Sequence, residues 1–378
     1  SSGSNNVGVG FNAGKFATSG DNHTFIGESA GQGITSAKLT SSNNTAVGYA
    51  AGLLLQGNAE QNTLIGSSAG AAITTGDNNT IIGFQAGDAL QAQTHNTAIG
   101  VDALSGSSLV DQTVIVGSQA GAGAMTAAAD GTVAIGYAAL TALTSGGGNT
   151  AVGFQSMDTV TGGSHNTAVG HTALAAMASS ASHNTAVGRD ALLNMNKADD
   201  GNNTVLGSEA GNVITGGDKN TIIGAASDPS GSGAVNQTVI GYGAVGVADN
   251  STIIGNATST GFYLRSAGAD VANNLYMDMY NATDADAPSL IMRKSSSNTL
   301  DAQNNMDAAD QIGNIYFQGN DGNSWETGAA IRADVDAAWG DGDCPGKLSF
   351  WTTPSSSATP VENITIDKDG NVGIGSPN

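Results

Sequence analysis

The chain has 378 residues, 55 of them glycine and only 5% aromatic, with 11% charged residues and a net charge of −21. So few large side chains cannot fill a compact globular core, which favours a fold that buries small groups in thin layers. The acidic balance disfavours nucleic acid or an anionic membrane surface as a partner, and the single cysteine, Cys344, excludes an intrachain disulfide. No apolar run approaches the ~20 residues of a membrane span, so membrane insertion is not expected.

Copies of one pentapeptide fill the first two-thirds of the chain. The unit is Asn-Thr-x-x-Gly with apolar residues at x; it occurs unaltered nine times, and six degenerate copies bring the total to fifteen. Successive glycines are mostly 17 residues apart, with outliers from 14 to 21. Such a period, with length variation confined to one stretch, is typical of a repeat fold with a constant core and variable loops. The glycines are Gly10, Gly27, Gly48, Gly66, Gly83, Gly100, Gly117, Gly136, Gly153, Gly170, Gly188, Gly207, Gly224, Gly241 and Gly255.

Each repeat predicts one short β-strand that ends in a bend. The Thr-x-x segment is rich in β-branched residues and too short for a helix. The glycine suits a positive φ or a close backbone approach, and the alanine that nearly always follows three residues later suits a tight interior corner. We assign the large apolar residue immediately before the glycine to the interior; examples are Ile26, Val47, Ile65, Ile82, Ile99, Val152 and Ile223.

Residues 1–261 are therefore expected to form an elongated stack, a parallel β-roll or β-solenoid of about fifteen coils. At about 4.8 Å per coil, the stack would be roughly 70 Å long. The Asn and Thr columns should lie in register along the stack, and stacked Asn side chains can hydrogen-bond to one another along its axis.

Histidines occur near the repeated Asn-Thr pair. His95, His165 and His183 precede the pair, and His23 replaces the Asn. A column of ligands and a set of loop-edge positions would both give this placement; the loop edge is favoured, because five scattered histidines show no metal-ligand spacing. Gly-x-Gly segments precede no helix of a βαβ unit, so no nucleotide site is predicted. We expect no cofactor, no metal and no catalytic residue.

The composition changes after the last repeat, and all three Trp lie in the C-terminal third. Residues 262–285 are predicted to link or cap the stack, and residues 286–378 to form a small β-rich domain. Alternating apolar residues predict five strands, at 289–293, 313–318, 330–335, 347–352 and 362–366. Residues 367–371, Asp-Lys-Asp-Gly-Asn, resemble the start of a calcium loop, but the downstream glutamate of an EF-hand is missing, so a β-turn is favoured.

The repeat and the C-terminal segments resemble known proteins. Asn-Thr-Ala-Val-Gly-x-x-Ala-Gly/Leu resembles repeats of phage tail fibres and is similar to the head repeats of trimeric autotransporter adhesins, which form left-handed parallel β-rolls and trimerise. Gly-Asn-Ile-Tyr-Phe-Gln-Gly-Asn-Asp-Gly at 313–322 and Pro-Gly-Lys-Leu-Ser-Phe at 345–350 resemble the part of phage tail fibres that precedes a C-terminal intramolecular chaperone. Ile-Asp-Lys-Asp-Gly-Asn-Val-Gly-Ile-Gly at 366–375 resembles the junction with that chaperone.

In that family the chaperone assembles the trimer and then cleaves itself off, so the resemblance implies that this chain is a mature cleaved product. It further implies a homotrimeric tail fibre on the virion that joins other tail or baseplate proteins and binds a glycan or protein receptor on the host, with no enzymatic step. The alternatives are a bacterial surface adhesin or filament subunit and, third, a tailspike depolymerase with a carboxylate-lined groove.

Tryptophans in the C-terminal third are the candidate contact residues. Trp325 and Trp339 lie in loop-like sequence and are the predicted receptor contacts, by stacking on a glycan; burial in a trimer core would suit them equally. Trp351, within a predicted strand, is assigned to the core.

Overall fold

The computed structural model describes residues 3–177, 180–196, 201–259, 292, 306–308, 310–321, 323–340 and 343–375. The predicted linker or cap at 262–285 and, apart from Met292, the predicted strand at 289–293 lie outside the described residues. The chain divides into two compact units, Ser1–Phe262 and Tyr263–Asn378. Among the described residues, no helix is long and apolar enough to cross a membrane.

The first unit is a parallel β-solenoid. Each repeat contributes one three-residue strand, and fifteen strands form a single sheet in chain order, so the predicted all-β repeat stack is confirmed. One 3₁₀ turn, Ala127–Ala129, interrupts a loop. The strands are β1 (Val7–Val9), β2 (Thr24–Ile26), β3 (Thr45–Val47), β4 (Thr63–Ile65), β5 (Thr80–Ile82), β6 (Thr97–Ile99), β7 (Val114–Val116), β8 (Val133–Ile135), β9 (Thr150–Val152), β10 (Thr167–Val169), β11 (Thr185–Val187), β12 (Thr204–Leu206), β13 (Thr221–Ile223), β14 (Thr238–Ile240) and β15 (Thr252–Ile254).

Glycine is required after each strand for both conformation and space. Gly83 has a φ of +142°, and a Cβ built there would lie 2.2 Å from the carbonyl oxygen of Gly100 in the next coil. Gly100 repeats the arrangement with a φ of +138°. An L side chain rarely adopts this backbone conformation, and no Cβ fits between backbones at that distance. The predicted role of the glycine column is therefore confirmed.

The strand orientation corrects one prediction. The large residue before the glycine was assigned to the interior, but it points outward: Ile26 and Ile65 are 39% and 38% exposed. The residue before it faces the interior instead, with Phe25 at 2% and Leu64 at 0%. Strand side chains alternate between faces, so the residue before the glycine shares the outer face with the threonine two positions earlier. The interior is thin, and the inward column can therefore hold residues as small as alanine.

Most coils combine one large and one small side chain beside the buried alanine corner. Where the inward strand residue is large, as at Ile81, the fourth residue after the strand glycine is usually Gly, here Gly87, whose added Cβ would lie 3.2 Å from the Ile81 side chain. Where the inward residue is Ala98, that later position is Leu104, fully buried. The same pairing of a small inward residue with a large later one recurs at Ala134 with Leu140, Ala151 with Met157, Ala168 with Leu174 and Ala186 with Leu192. In these coils one large and one small side chain share the interior, as close packing requires, whereas the coil with Ala46 and Gly52 has a small residue at both positions.

A ladder of buried asparagines runs along the axis, as predicted. The Asn62 side-chain amide donates to Asn44 Oδ1 at 3.0 Å and to the carbonyl oxygen of Gly76 at 2.8 Å. The Asn79 amide makes the same bond to Asn62 Oδ1. The threonines are also in register, since Thr167 pairs with Thr150 and Thr185. These bonds satisfy polar groups that the coils bury between loop and strand.

The second unit contains an antiparallel five-stranded sheet in chain order. Its strands are β16 (Gln311–Asn320), β17 (Trp325–Val335), β18 (Gly346–Thr352), β19 (Val361–Ile366) and β20 (Val372–Ile374). The predicted strands at 313–318, 330–335, 347–352 and 362–366 fall within the first four, and β20 was not predicted. Its three residues, Val-Gly-Ile, are too few to show alternation.

Candidate functional site

The C-terminal sheet has two chemically different faces, which the strand register defines. One face is apolar and carries Ile315, Phe317, Ile331, Leu348, Phe350, Ile364, Ile366, Val372 and Ile374. Met292 lies over part of it, beside Ile315, Ile331 and Leu348. The other, polar face carries Asn314, Tyr316, Gln318, Ala330, Arg332, Asp334, Ser349, Trp351 and Thr365. A sheet with such faces is expected to bury the first and present the second to solvent.

A slot on the polar face lies between two aromatic residues. Tyr316, Ala330 and Trp351 occupy one row across three neighbouring strands, so the small Ala330 forms a floor between the two rings. Tyr316 is 54% exposed, whereas Ala330 is buried. Together with Gln318 and Arg332, these residues line an open pocket of about 390 Å³. Pockets that bind small molecules have volumes in this range.

The guanidinium of Arg332 is fixed at one end of the slot. Its Nε–H donates to Asp334 Oδ1 at 2.6 Å, and Asp334 is buried. Its guanidinium carbon lies 5.4 Å from the ring centroid of Trp351. The Trp351 indole N–H in turn donates to Ser349 Oγ at 2.7 Å. A cation held on both sides in this way is preorganised, because little side-chain freedom remains to be lost on binding.

Amide and hydroxyl groups lie at the other end. The Gln318 side-chain amide donates to Thr327 Oγ1 at 3.0 Å, which joins β16 to β17. The carbonyl oxygen of Gln318 can still accept a hydrogen bond, and the Thr327 hydroxyl can still donate one. The slot therefore combines aromatic walls, one cation and neutral hydrogen-bonding groups.

The two tryptophans predicted as receptor contacts occupy different settings. Trp325 begins β17, opposite Asn320, and is 69% exposed. Trp339 is half-buried: its indole N–H donates to the carbonyl oxygen of Pro345 at 3.1 Å, and its backbone N–H to that of Met306. Contact with a receptor remains a prediction for both, but the hydrogen bonds of Trp339 already serve the fold.

The residues of the slot were not predicted from the sequence as a binding site. Trp351 was assigned to a core, yet it is half-buried under Arg332 on the polar face. Alternation along β18 places Trp351 and Phe350 on different faces of the sheet, but it does not show which of the two faces is covered. The row formed with Tyr316 depends on strand pairing across β17, which a single sequence does not reveal.

Outward apolar residues also run the length of the solenoid. We call the residues that precede the repeated glycines the outer apolar column: Val9, Ile26, Val47, Ile65, Ile82, Ile99, Val116, Ile135, Val152, Val169, Val187, Leu206, Ile223, Ile240 and Ile254. Every member is partly or well exposed. A second column follows the glycines, where the rings of Tyr137, Phe154 and His171 stack on successive coils with centroids 5.3 and 5.0 Å apart.

The histidines before the Asn-Thr pair are exposed, as expected for loop edges, and the rings of His165 and His183 stack 5.2 Å apart. His23 differs, because it is buried in the asparagine ladder. Its Nδ1 accepts from the backbone N–H of Asn44 at 3.2 Å, and its Nε2 is 2.9 Å from the carbonyl oxygen of Ser41. Burial lowers the pKa of His23, against smaller opposing effects of these hydrogen bonds.

The segment after β19 forms a closed turn. Asp367 Oδ1 accepts from the backbone N–H groups of Asp369 and Asn371, and the Asn371 amide donates to Asp367 Oδ2 at 2.9 Å. These bonds, led by the Asn371 side chain, lower the pKa of Asp367. The carboxylate thus serves the turn itself. In the part of the chain that the structure describes, no group of three or more His, Cys, Asp or Glu side chains could hold a metal ion.

The fold and these surfaces define an all-β repeat protein, a parallel β-solenoid followed in the chain by a two-faced antiparallel sheet. Neither the models of known protein families nor the curated proteins include a match to this chain.

Proposed function

We propose that this chain is a tail fibre protein of a phage, which assembles as a homotrimer on the virion and binds a receptor on the host surface. The observation that carries the proposal is the outer apolar column. It extends over fifteen coils, or roughly 70 Å at sheet spacing. Soluble monomers rarely expose a continuous apolar stripe of this length. A β-solenoid is compatible with an elongated fibre, and the stripe gives that fibre a surface for its own copies.

A second copy of the chain is the best match for the stripe. The columns of two copies have the same spacing, because each is set by the same strand ladder. Isoleucine and valine are stiff at χ1 and lose little side-chain entropy on packing. The apolar face of β16–β20 has the same need for cover, with Phe317, Phe350 and Ile374 exposed. Three copies with the apolar faces of their sheets inward would leave the polar faces of the sheets outward for binding.

The proposed mechanism is attachment by binding, with affinity multiplied by three identical sites per fibre and several fibres per particle. Other tail or baseplate proteins would hold the fibre on the virion. A bacterial surface adhesin is the alternative, since it would use the same fold and the same self-association.

The oligomeric state tests the proposal. Sedimentation equilibrium of the purified chain at micromolar concentration is expected to give three times the chain mass of 37.2 kDa. Ile82→Asp combined with Ile99→Asp should lower that mass, because charges in the outer apolar column would be buried between copies. Gln61→Asp with Gln112→Asp is the matched control at exposed positions. A monomer at this concentration contradicts the proposal.

The cellular location of the protein distinguishes a phage tail fibre from a bacterial surface adhesin. An antibody against the chain should label the tails of phage particles in electron micrographs. Labelling of the bacterial envelope in the absence of particles would favour the adhesin instead.

A further inference from the structure

The slot on the polar face is built more rigidly than a sheet surface needs. Arg332 is one of only 11 basic residues in a chain with 32 acidic ones. It is nevertheless held by a buried carboxylate, Asp334, and stacked on Trp351, which is itself pinned by Ser349. The ion pair uses only the Nε–H, and the terminal N–H groups of a guanidinium form a planar fork. Such a fork matches the two oxygens of a carboxylate.

The width of the slot suits one sugar ring. Tyr316 and Trp351 lie two strands apart, so their backbones are about 10 Å from each other, with the small Ala330 between them. The pocket of about 390 Å³ can hold one pyranose ring, which packs against the exposed Tyr316 ring, while Arg332 already stacks on the Trp351 ring. The apolar C–H faces of sugars pack on aromatic rings, and their hydroxyl groups require donors and acceptors at the rim. Gln318 and Thr327 supply both.

We infer that the slot formed by Tyr316, Ala330, Arg332 and Trp351 binds a carboxylated sugar, such as a uronic acid of a host surface polysaccharide. The inference rests on the proposed receptor-binding function and names its ligand class. The sugar carboxylate pairs with the free edge of the Arg332 guanidinium, and the ring lies over Ala330. Asp334 offsets part of the guanidinium charge, so the site compensates the single charge of a carboxylate better than the two charges of a phosphate dianion.

Two small probes isolate the role of the carboxylate. Methyl glucuronide carries a carboxylate where methyl glucoside carries a hydroxymethyl group, and the two sugars are otherwise identical. Each can be titrated into the 378-residue chain while tryptophan fluorescence and ligand-observed NMR are followed. We expect the glucuronide to bind at least about tenfold more tightly than the glucoside, a difference of about 1.4 kcal/mol. Equal binding of the two sugars would overturn the inference, and so would the absence of binding by the glucuronide.

Variants locate the site. Tyr316→Ser should abolish glucuronide binding; its side chain is well exposed, so the sheet should still fold. Arg332→Lys keeps the charge and the ion pair but loses the planar fork, and should reduce the preference for glucuronide. Tyr242→Ser removes an even more exposed ring from the solenoid and should not change glucuronide binding. Glucuronide binding that survives Tyr316→Ser contradicts the inference.

Cell binding separates this inference from the proposed function. If the trimer binds host cells but Tyr316→Ser leaves that binding unchanged, the slot is not the receptor site and attachment uses another surface. If the trimer binds no host cells, the proposed attachment function is refuted, whether or not the glucuronide binds. Loss of both glucuronide and cell binding in Tyr316→Ser supports both proposals.

Discussion

The solenoid and the C-terminal sheet bury apolar side chains in different ways. Each coil of the solenoid wraps its own core, so Ile81, Leu90 and Leu104 are fully buried within a single chain. The sheet has its large apolar residues on one face, and Phe350 and Ile374 remain exposed. The solenoid should therefore hold its structure coil by coil, whereas the sheet should gain much of its stability from other copies.

The two regions can be followed separately in one experiment. All three tryptophans, Trp325, Trp339 and Trp351, lie in the C-terminal unit. Tryptophan fluorescence therefore reports on that unit, and far-ultraviolet circular dichroism is dominated by the larger solenoid. Substitutions confined to one region should move one signal more than the other.

The largest effect is expected for Gly100→Ala in the solenoid. The added Cβ would lie 2.5 Å from backbone atoms of Gly117, at a φ of +138°. Strain and overlap together should lower the free energy of unfolding by about 4 kcal/mol. Denaturant titration should show the loss in circular dichroism and a smaller change in fluorescence. Gly233→Ala, where an added Cβ meets nothing within 4 Å, is the control. Equal effects of the two substitutions would refute the close approach.

A compensating pair tests the idea that each coil encloses a fixed volume. Ile81→Ala should cost about 3 kcal/mol by leaving a cavity. Gly87→Leu alone should also destabilise, because its Cβ lies 3.2 Å from the Ile81 side chain. The double variant keeps Leu90 and so gives this coil the set found in another coil, where Ala134, Leu140 and Leu143 are all fully buried. Its backbone is compatible, since Gly87 and Leu140 have φ values of +51° and +52°.

We expect the double variant to recover about 1–3 kcal/mol relative to the sum of the single changes, as measured by a double-mutant cycle in denaturant. Gly70→Leu combined with Ile81→Ala changes two coils instead of one and should show less coupling. Strict additivity of Ile81→Ala and Gly87→Leu would mean that the coil does not pack as one unit.

The pairing of a small inward residue with a large later one also shows how much of the fold could be predicted from the sequence. The period of the glycines and the β-branched strand were enough to predict the solenoid, the number of coils and the asparagine ladder. Chemical character alone misplaced Ile26 and its equivalents, because the most uniformly apolar column lies outside. The alternation of Gly and Leu four residues after the strand glycine was visible, and its link to the size of the inward residue would have identified the true interior column.

The slot was less accessible to sequence reasoning. Tyr316 and Trp351 are 35 positions apart in the chain and are brought into one row only by two antiparallel pairings. A shift of one residue in either pairing would place them on opposite faces. Trp325 was predicted to lie in loop-like sequence and is instead the first residue of β17, where it is exposed, and its contact with a receptor stays a prediction. The row around Ala330 has no local signal.

The smallest effect is expected from pH and concerns only the solenoid, because all five histidines lie between positions 23 and 183. Burial lowers the pKa of His23 below the usual imidazole value of 6.5. The unfolded chain therefore takes up a proton at a higher pH than the native chain. The free energy of unfolding keeps its full value above about pH 6.5 and declines as the pH falls towards the native pKa of His23. Protonation of Nδ1 would also set an N–H against the backbone N–H of Asn44.

Hydrogen exchange of the Thr24 and Asn44 amides, corrected for intrinsic rates, should accelerate between about pH 7.5 and pH 5.5, whereas coils beyond Gly100 should not respond. His23→Asn restores the repeated residue and should remove the pH response. His165→Asn changes an exposed histidine and is the control. If hydrogen exchange in His23→Asn still accelerates in the same way, another group causes the response.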